Sequence, residues 1–214
     1  MPQQAFFFDG SRCTGCKTCM FACKDYHDLS VGESYRKVYE CVGGATQKDD
    51  DGLVSTCFCY SVSLACNHCI KPVCVEVCPT EAMHKDVETG LVSVDAKKCV
   101  GCGYCHLSCP YDAPQVNRSK GHSVKCDGCL ARVVEGEKPI CVEACPCRAL
   151  DFGLVEDMAK RGERANIAPL PDPERTMPCL FVKASDDARP FSAKEVEIAN
   201  VAEVRRSRDS AHDA

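Results

Sequence analysis

The chain has 214 residues, and its 26 Lys and Arg against 31 Asp and Glu give a formal net charge of −5. This acidic balance does not favour nucleic-acid binding, and since no run of about 18 apolar residues occurs, no membrane-spanning helix is predicted. The 21 Cys residues are about a tenth of the sequence, far above ordinary usage, so a requirement other than packing must account for them.

The N-terminal segment predicts a short strand that leads into a first Cys group. Residues Gln4 to Asp9 are rich in Phe, which is typical of a strand. The group that follows has the spacing Cys-x2-Cys-x2-Cys-x3-Cys and comprises Cys13, Cys16, Cys19 and Cys23. Lys24 stands where a Pro would turn the chain, so we expect a helix to continue through Phe21 and Tyr26.

Residues 36–63 predict an inserted β-hairpin. Val38 to Val42 and Leu53 to Val62 resemble two strands, separated by a break at Gly43-Gly44 and a polar turn. The three Cys residues of this segment lack ligand spacing and are interpreted as small apolar core residues. They are Cys41, Cys57 and Cys59.

Two Cys groups flank a second predicted hairpin, formed by Ala82 to Lys85 and Leu91 to Val94. The group before the hairpin has the spacing Cys-x2-Cys-x4-Cys-x3-Cys-Pro and comprises Cys66, Cys69, Cys74 and Cys78. The group after it has the spacing Cys-x2-Cys-x2-Cys-x3-Cys-Pro and comprises Cys99, Cys102, Cys105 and Cys109. The second spacing is that of bacterial ferredoxins, in which three thiolates hold one [4Fe-4S] cluster and the fourth binds a second cluster. Residues 64–116 are therefore predicted to form a two-cluster ferredoxin module.

A fourth Cys group needs a partner, and only the first group remains to supply one. It comprises Cys126, Cys129, Cys141 and Cys145, and the segment inside it, Leu130 to Ile140, is predicted to be a polar, exposed loop. Residues 1–35 and 117–153 are therefore predicted to form a discontinuous second module around the central one. The predicted fold class is α+β, with two ferredoxin modules, one inserted in the other, a hairpin insertion and an extended C-terminal tail.

The rule that the last Cys of each group binds the partner's cluster assigns sixteen Cys residues to four sets. Thiol set 1 is Cys13, Cys16, Cys19 and Cys145, and thiol set 2 is Cys66, Cys69, Cys74 and Cys109. Thiol set 3 is Cys99, Cys102, Cys105 and Cys78, and thiol set 4 is Cys126, Cys129, Cys141 and Cys23. Gly15 and Gly101 hold equivalent places, where a missing Cβ would let backbone N–H groups approach a cluster.

Two other interpretations of the Cys content are less favourable. Zinc is also held by Cys-x2-Cys pairs, but it needs no further Cys-x3-Cys-Pro continuation. Disulfide scaffolds are typical of short secreted chains without clustered ligand spacing. His68 lies inside the group of Cys66, Cys69, Cys74 and Cys78, where four thiols are already present, so it is interpreted as a hydrogen-bond donor or a surface residue. His27, His84, His106 and His122 are interpreted as surface groups or as neighbours of ligands.

Residues 154–214 are predicted to form a C-terminal helix and a tail, and the sequence signals weaken beyond Gly162. Ala149 to Gly153 predicts a closing strand, Leu154 to Arg161 a short helix, and Leu180 to Val182 a further strand. The charged remainder, residues 183–214, is predicted to wrap a partner or to be disordered. Cys147 and Cys179 have no predicted ligand role.

Four Cys groups in this order resemble the iron–sulfur electron-transfer subunits of the dimethyl sulfoxide reductase type. The resemblance covers residues 4–182 and rests on the segments Arg12-Cys13-Thr14-Gly15-Cys16-Lys17-Thr18-Cys19, Cys66-Asn67-His68-Cys69, Lys125-Cys126-Asp127-Gly128-Cys129 and Pro139-Ile140-Cys141-Val142-Glu143. It implies four [4Fe-4S] clusters, a molybdopterin catalytic subunit containing molybdenum or tungsten, and an integral membrane anchor that oxidises quinol.

The predicted function is therefore one-electron transfer within an oxidoreductase complex, with no catalytic activity of the chain alone. No nucleophile triad, phosphate-binding loop or dinucleotide fingerprint occurs in the sequence. A free polyferredoxin that shuttles electrons between soluble enzymes is the alternative. The first residues lack the features of a secretory signal, and the resemblance implies co-export with the catalytic subunit to the outer face of the cytoplasmic membrane; the cytoplasmic face stays open.

Overall fold

A computed structural model of the chain describes residues 2–50 and 52–204. The strands are β1 (Gln4–Asp9), β2 (Lys37–Gly43), β3 (Thr46–Asp49), β4 (Gly52–Ser55), β5 (Phe58–Leu64), β6 (Met83–Lys85), β7 (Val92–Val94), β8 (Gln115–Asn117), β9 (His122–Val124), β10 (Leu150–Leu154), β11 (Glu163–Arg164), β12 (Leu180–Lys183) and β13 (Glu197–Ile198). The helices are α1 (Thr18–Tyr26), α2 (Val73–Glu76), α3 (Tyr104–Ser108), α4 (Leu130–Val134), α5 (Ile140–Glu143), α6 (Val155–Ala159) and α7 (Val201–Val204), with a 3-10 turn at Pro173–Arg175.

A four-stranded sheet with the order β10-β1-β12-β11 joins the N-terminal strand to late segments of the chain. β1 pairs antiparallel with β10 and parallel with β12. Its side chains alternate, as they must on a pleated strand: Phe6 and Phe8 enter the main core, whereas Phe7 packs with Phe181 and Met158 on the other face. The predicted strand at residues 4–9 and the predicted strands near 150 and 180 are confirmed.

The segment predicted as an inserted hairpin forms two successive antiparallel ladders. β2 pairs with β5 along its whole length, and β3 pairs with β4 beyond the break at Gly43-Gly44. Val38, Tyr60 and Val62 are buried and share one core with Phe6 and Phe8. The hairpin therefore covers the inner face of the four-stranded sheet.

Two short antiparallel hairpins lie between the Cys groups. β6 pairs with β7, as predicted for residues 82–94, and β8 pairs with β9. The N-terminal helix also follows the prediction, because α1 continues past Cys23 to Tyr26. Helix α1 contacts α5, and α2 contacts α3, so each pair brings two distant Cys groups together.

Two expectations differ from the structure. The segment from Leu130 to Ile140 begins with helix α4, although its later part is exposed as predicted. The expectation of disorder is wrong for residues 197–204, where β13 pairs with β2 and Val204 is 1% exposed. Val204 packs in the main core. This packing and the pairing of β13 with β2 fix the position of the segment. The last part of the predicted tail, residues 205–214, lies outside the described residues.

In the described ranges, 2–50 and 52–204, none of the helices has the length and apolar character needed to span a lipid bilayer.

Candidate iron–sulfur sites

Thiol set 1 surrounds a cavity beneath the N-terminal strand. Its three sequence neighbours, Cys13, Cys16 and Cys19, line this cavity together with Cys145, which comes from a segment more than a hundred residues later. Cys19 lies on helix α1, and Cys145 follows helix α5. The contact between these two helices thus brings the four predicted thiols to one place.

Thiol set 2 surrounds a second cavity and is assembled in the same way. Cys66, Cys69 and Cys74 come from one loop and helix α2, and Cys109 comes from the end of helix α3. Pro110 follows Cys109 on the wall of the cavity. Because Pro lacks an N–H and has a restricted φ, it turns the chain away at this point.

The thiols of set 4 also lie near one another, and so do three of the four thiols of set 3. Cys23 on α1 lies near Cys129 and Cys141, and Cys126 lies near Cys23 and Cys141, so that their thiolates would repel one another. In set 3, Cys105 interacts with Cys99 and Cys102 in the same way. Cys78 packs against a small apolar cluster that contains Cys105 of set 3, Cys74 of set 2, Met83 and Val92.

The first loop of every set has the same backbone turn. The residue before the second Cys has a positive φ in all four loops: 69° at Gly15, 43° at His68, 68° at Gly101 and 78° at Gly128. His68 is the one that is not Gly, and His is among the residues enriched at such angles. The groups are therefore structural repeats, although their spacings differ.

Gly101 shows why this position disfavours a side chain. A Cβ atom there would lie 2.9 Å from the carbonyl oxygen of Gly121, which is closer than real Cβ contacts come. At Gly15 a Cβ atom would meet the Ser61 hydroxyl at 2.6 Å. The missing Cβ therefore makes room for neighbouring protein as well as permitting the positive φ.

Backbone N–H groups point at several thiols. Ser123 N donates to Cys99 Sγ at 3.3 Å and Ala149 N donates to Cys145 Sγ at 3.3 Å. Gly128 N donates to Cys126 Sγ at 3.4 Å. Such bonds stabilise thiolates and, in iron–sulfur proteins, help to set cluster potentials.

Two hydroxyl groups near the thiols have no sequence signal. Ser63 Oγ lies 3.4 Å from Cys19 Sγ, and Ser123 Oγ lies 3.4 Å from Cys105 Sγ. The two residues of each pair are 44 and 18 positions apart in the chain. A local motif could not have identified them, because only tertiary packing brings them to the thiols.

Burial opposes charge on most of the inner thiols. It raises the pKa of Cys13 to about 11 and that of Cys23 to about 12, and neighbouring thiolates add to both shifts. The pKa of the exposed Cys16 is instead lowered, mainly by a hydrogen bond from Thr18. A bound cation reverses this logic, because a coordinating thiol is deprotonated outright.

The histidines divide between surface positions and contacts with thiols. His68 is 1% exposed; its Nδ1 accepts a hydrogen bond from Val92 N at 2.9 Å, and its Nε2 lies 3.9 Å from Cys126 Sγ. His27 Nε2 lies 3.5 Å from Cys129 Sγ. The His68 contact fits its predicted role of hydrogen-bond donor but not that of surface residue, and the His27 contact fits the predicted role of neighbour to a ligand.

The Cys residues without a predicted ligand role behave in three ways. Cys41 and Cys179 are fully buried, as expected of small apolar residues. That interpretation is wrong for Cys57 and Cys59, which are exposed on the hairpin where its edge faces solvent. Cys147 is half-buried and lines the cavity of thiol set 1, where its Sγ lies 3.6 Å from Thr14 Oγ1.

Four thiols line each of the cavities of sets 1 and 2, and several of the sixteen thiols accept bonds from N–H donors. Four thiols are the donor set that a [4Fe-4S] cluster requires. The residues present therefore fit such a group, and their individual ligand roles stay a prediction. A protein built from repeated Cys loops of this kind is an iron–sulfur protein of the ferredoxin type. A family profile described as a 4Fe-4S dicluster domain matches residues 57–155.

The sequence is similar over nearly its whole length to curated iron–sulfur subunits. It is 51% identical over 203 residues to the B subunit of anaerobic dimethyl sulfoxide reductase from Escherichia coli K12, covering 94% of this chain and 98% of the relative. It is 52% identical over 191 residues to the same subunit of Haemophilus influenzae, covering 88% and 93%. The thiosulfate reductase electron transfer subunit PhsB of Salmonella typhi is 36% identical over 156 residues, covering 72% and 78%. The protein belongs to the family of dimethyl sulfoxide reductase B subunits, the iron–sulfur electron-transfer subunits of molybdoenzyme complexes.

Proposed function

We propose that this chain relays single electrons through four [4Fe-4S] clusters between a quinol-linked membrane anchor and a molybdopterin catalytic subunit of the dimethyl sulfoxide reductase type. The observation that carries the proposal is the 51% identity that extends over 98% of a dimethyl sulfoxide reductase B subunit. The cavities of thiol sets 1 and 2 support it independently, because each is lined by four Cys residues and one cluster needs four thiolates.

Each thiol set would hold one cluster, with three ligands from one Cys group and one from a distant segment. Pairing of β1 with β10 and contact of α1 with α5 support the proposed nested arrangement. In that arrangement residues 1–35 and 117–153 form one ferredoxin module and residues 64–116 form the other. Bound clusters supply the one-electron chemistry.

The protein's own part is to hold the clusters and to set their environment. The reduction potential of each cluster would depend on burial of the thiols, on N–H donors such as Ser123 N and on hydroxyls such as Ser63 Oγ. The chain would not be catalytic alone, and the substrate would be handled by the molybdenum or tungsten subunit. We place the complex at the cytoplasmic membrane, on the outer face by co-export with that subunit.

Anaerobic affinity purification from the native cells tests the proposal. The accompanying proteins are identified, and iron, molybdenum, tungsten and zinc are counted. We expect a large molybdenum or tungsten subunit and a membrane protein to accompany this chain, with about 16 iron atoms per copy, as four [4Fe-4S] clusters require.

Other outcomes would assign a different role. A full iron content with no accompanying protein would indicate a free polyferredoxin. Zinc without labile sulfide would contradict the iron–sulfur assignment as a whole. Protection of the chain from external protease in intact spheroplasts would place it on the cytoplasmic face.

A further inference from the structure

Arg36 is a buried cation without an acidic partner. It is 2% exposed and lies just before strand β2. Its Nε and Nη2 atoms have no hydrogen-bond partner, and no salt bridge joins it to a carboxylate anywhere in residues 2–50 or 52–204. A guanidinium cannot lose its proton in a protein, so its charge must be balanced by something else nearby.

The protein contacts of Arg36 leave that balance incomplete. Its Nη1 donates to the Ser63 hydroxyl at 3.1 Å and approaches the Ser63 carbonyl oxygen at 3.4 Å. Its guanidinium carbon lies 4.8 Å from the centre of the Phe6 ring. Hydrogen bonds to neutral oxygens and an aromatic face do not offset the cost of removing a full charge from water.

The ionisable groups that favour the charge of Arg36 are thiols of two different sets. It interacts electrostatically with Cys19 of thiol set 1 and with Cys23, Cys126 and Cys141 of thiol set 4. Burial opposes the charge, but these thiolates outweigh it and raise the pKa of Arg36 above its ordinary value. Arg36 therefore lies between two sites that would each hold an anionic group.

Ser63 connects Arg36 to only one of the two sites. Because its hydroxyl oxygen accepts from Arg36 Nη1, its proton is free to point toward Cys19 Sγ, 3.4 Å away. A donor polarised by a cation is stronger than an isolated hydroxyl. Thiol set 4 has no such intermediary from Arg36 among the hydrogen bonds of the described residues.

We propose that Arg36 is the counter-ion shared by the clusters of thiol sets 1 and 4, that it raises the reduction potentials of both, and that Ser63 transmits part of its effect to set 1 alone. The inference rests on the proposed function, since it requires clusters in both sites. Each reduction adds one negative charge to a cluster. A fixed positive charge in a dry interior stabilises that state, because local low dielectric strengthens the attraction.

The test is an anaerobic redox titration of the intact complex, followed by electron paramagnetic resonance. Signals of sets 1 and 4 are assigned by their change in Cys16→Ser and Cys129→Ser proteins. The variants are Arg36→Met, Arg36→Lys and Ser63→Ala. Arg161→Met is the matched control, because Arg161 also lies over a Phe ring of β1, 4.0 Å from the centre of Phe7, but on the opposite face and paired with Asp151.

With Arg36→Met we expect the reduction potentials of both clusters to fall by at least about 59 mV. This is a tenfold change in the equilibrium constant of a one-electron reduction. Arg36→Lys should keep both potentials close to their wild-type values, because it keeps the positive charge. Ser63→Ala should lower the potential of set 1 and leave that of set 4 unchanged. Arg161→Met should move neither.

Iron and sulfide contents are measured first, so that the two proposals can fail separately. Wild-type complex without about 16 iron atoms would contradict the proposed function and this inference together. Full clusters with potentials that move no further in Arg36→Met than in Arg161→Met would overturn the inference alone. If Arg36→Met does not assemble, Arg36→Lys and Ser63→Ala decide: a set 1 potential unmoved by Ser63→Ala overturns it.

Discussion

His68 Nε2 lies 3.9 Å from Cys126 Sγ, so a residue within the loop of thiol set 2 contacts a thiol of set 4. Because His68 Nδ1 accepts the hydrogen bond of Val92 N, the proton of the neutral ring belongs on Nε2. Burial lowers the pKa of His68 well below its usual value, and Lys125, Lys85 and Arg36 lower it further. His68 therefore remains neutral and donates toward Cys126.

Replacing His68 by Leu is expected to destabilise the protein. The change leaves the buried Val92 N–H without an acceptor and removes the donor to Cys126, at a cost of roughly 1–3 kcal/mol. The measurement is the anaerobic thermal midpoint for loss of the visible absorbance. His84→Leu is the control, because His84 is exposed. Equal midpoints for the two variants would contradict the structural role of His68.

The turn at Gly101 predicts a large effect of a single methyl group. In Gly101→Ala the left-handed φ of 68° costs about 1–2 kcal/mol, and the new Cβ also meets the Gly121 carbonyl. Gly136→Ala has a similar φ of 81° but open space around its Cβ. We expect Gly101→Ala to lower the thermal midpoint, and to weaken the signal of thiol set 3, more than Gly136→Ala does. The same loss in both would mean that backbone strain alone accounts for the effect.

Asn200 attaches the C-terminal segment to strand β2. Its Oδ1 accepts from Glu40 N at 3.0 Å, and its Nδ2 donates to the Val38 carbonyl at 2.9 Å. Asn200→Ala is expected to weaken this attachment by roughly 1–3 kcal/mol, because buried backbone groups lose their partners. Limited proteolysis with trypsin should then cleave after Lys194 several times faster. Asp187→Ala, an exposed position of the same segment, should leave the rate unchanged.

The assignment of ligands predicts which thiols control iron content. Cys126 is 6% exposed and belongs to thiol set 4, whereas Cys59 is exposed and belongs to no set. Cys126→Ala should lower the iron count by at least one atom and by up to about four, the content of one cluster. Cys59→Ala should retain all the iron. A full complement in Cys126→Ala, measured by elemental analysis, would contradict set 4 as drawn.

Much of the local structure follows from short sequence patterns. The Phe-rich strand β1, the helix past Cys23 and the hairpin of β6 and β7 were all predicted within a few residues, because alternation and turn residues act locally. The helix at residues 130–134 was missed, since a single turn with few periodic positions resembles a loop. The prediction that Cys57 and Cys59 are buried was wrong, because residue type alone does not distinguish a position at a sheet edge from one in the core.

The sequence by itself determined the four Cys loops and their ferredoxin character. Thiols a few residues apart on one tight loop lie close together through local geometry, and the spacing is that of ferredoxins. Only the tertiary structure decided which groups surround the thiols. Arg36 over Phe6, Ser63 beside Cys19 and His68 beside Cys126 join segments far apart in the sequence. Such contacts depend on how whole sheets and helices pack, and no local spacing encodes them.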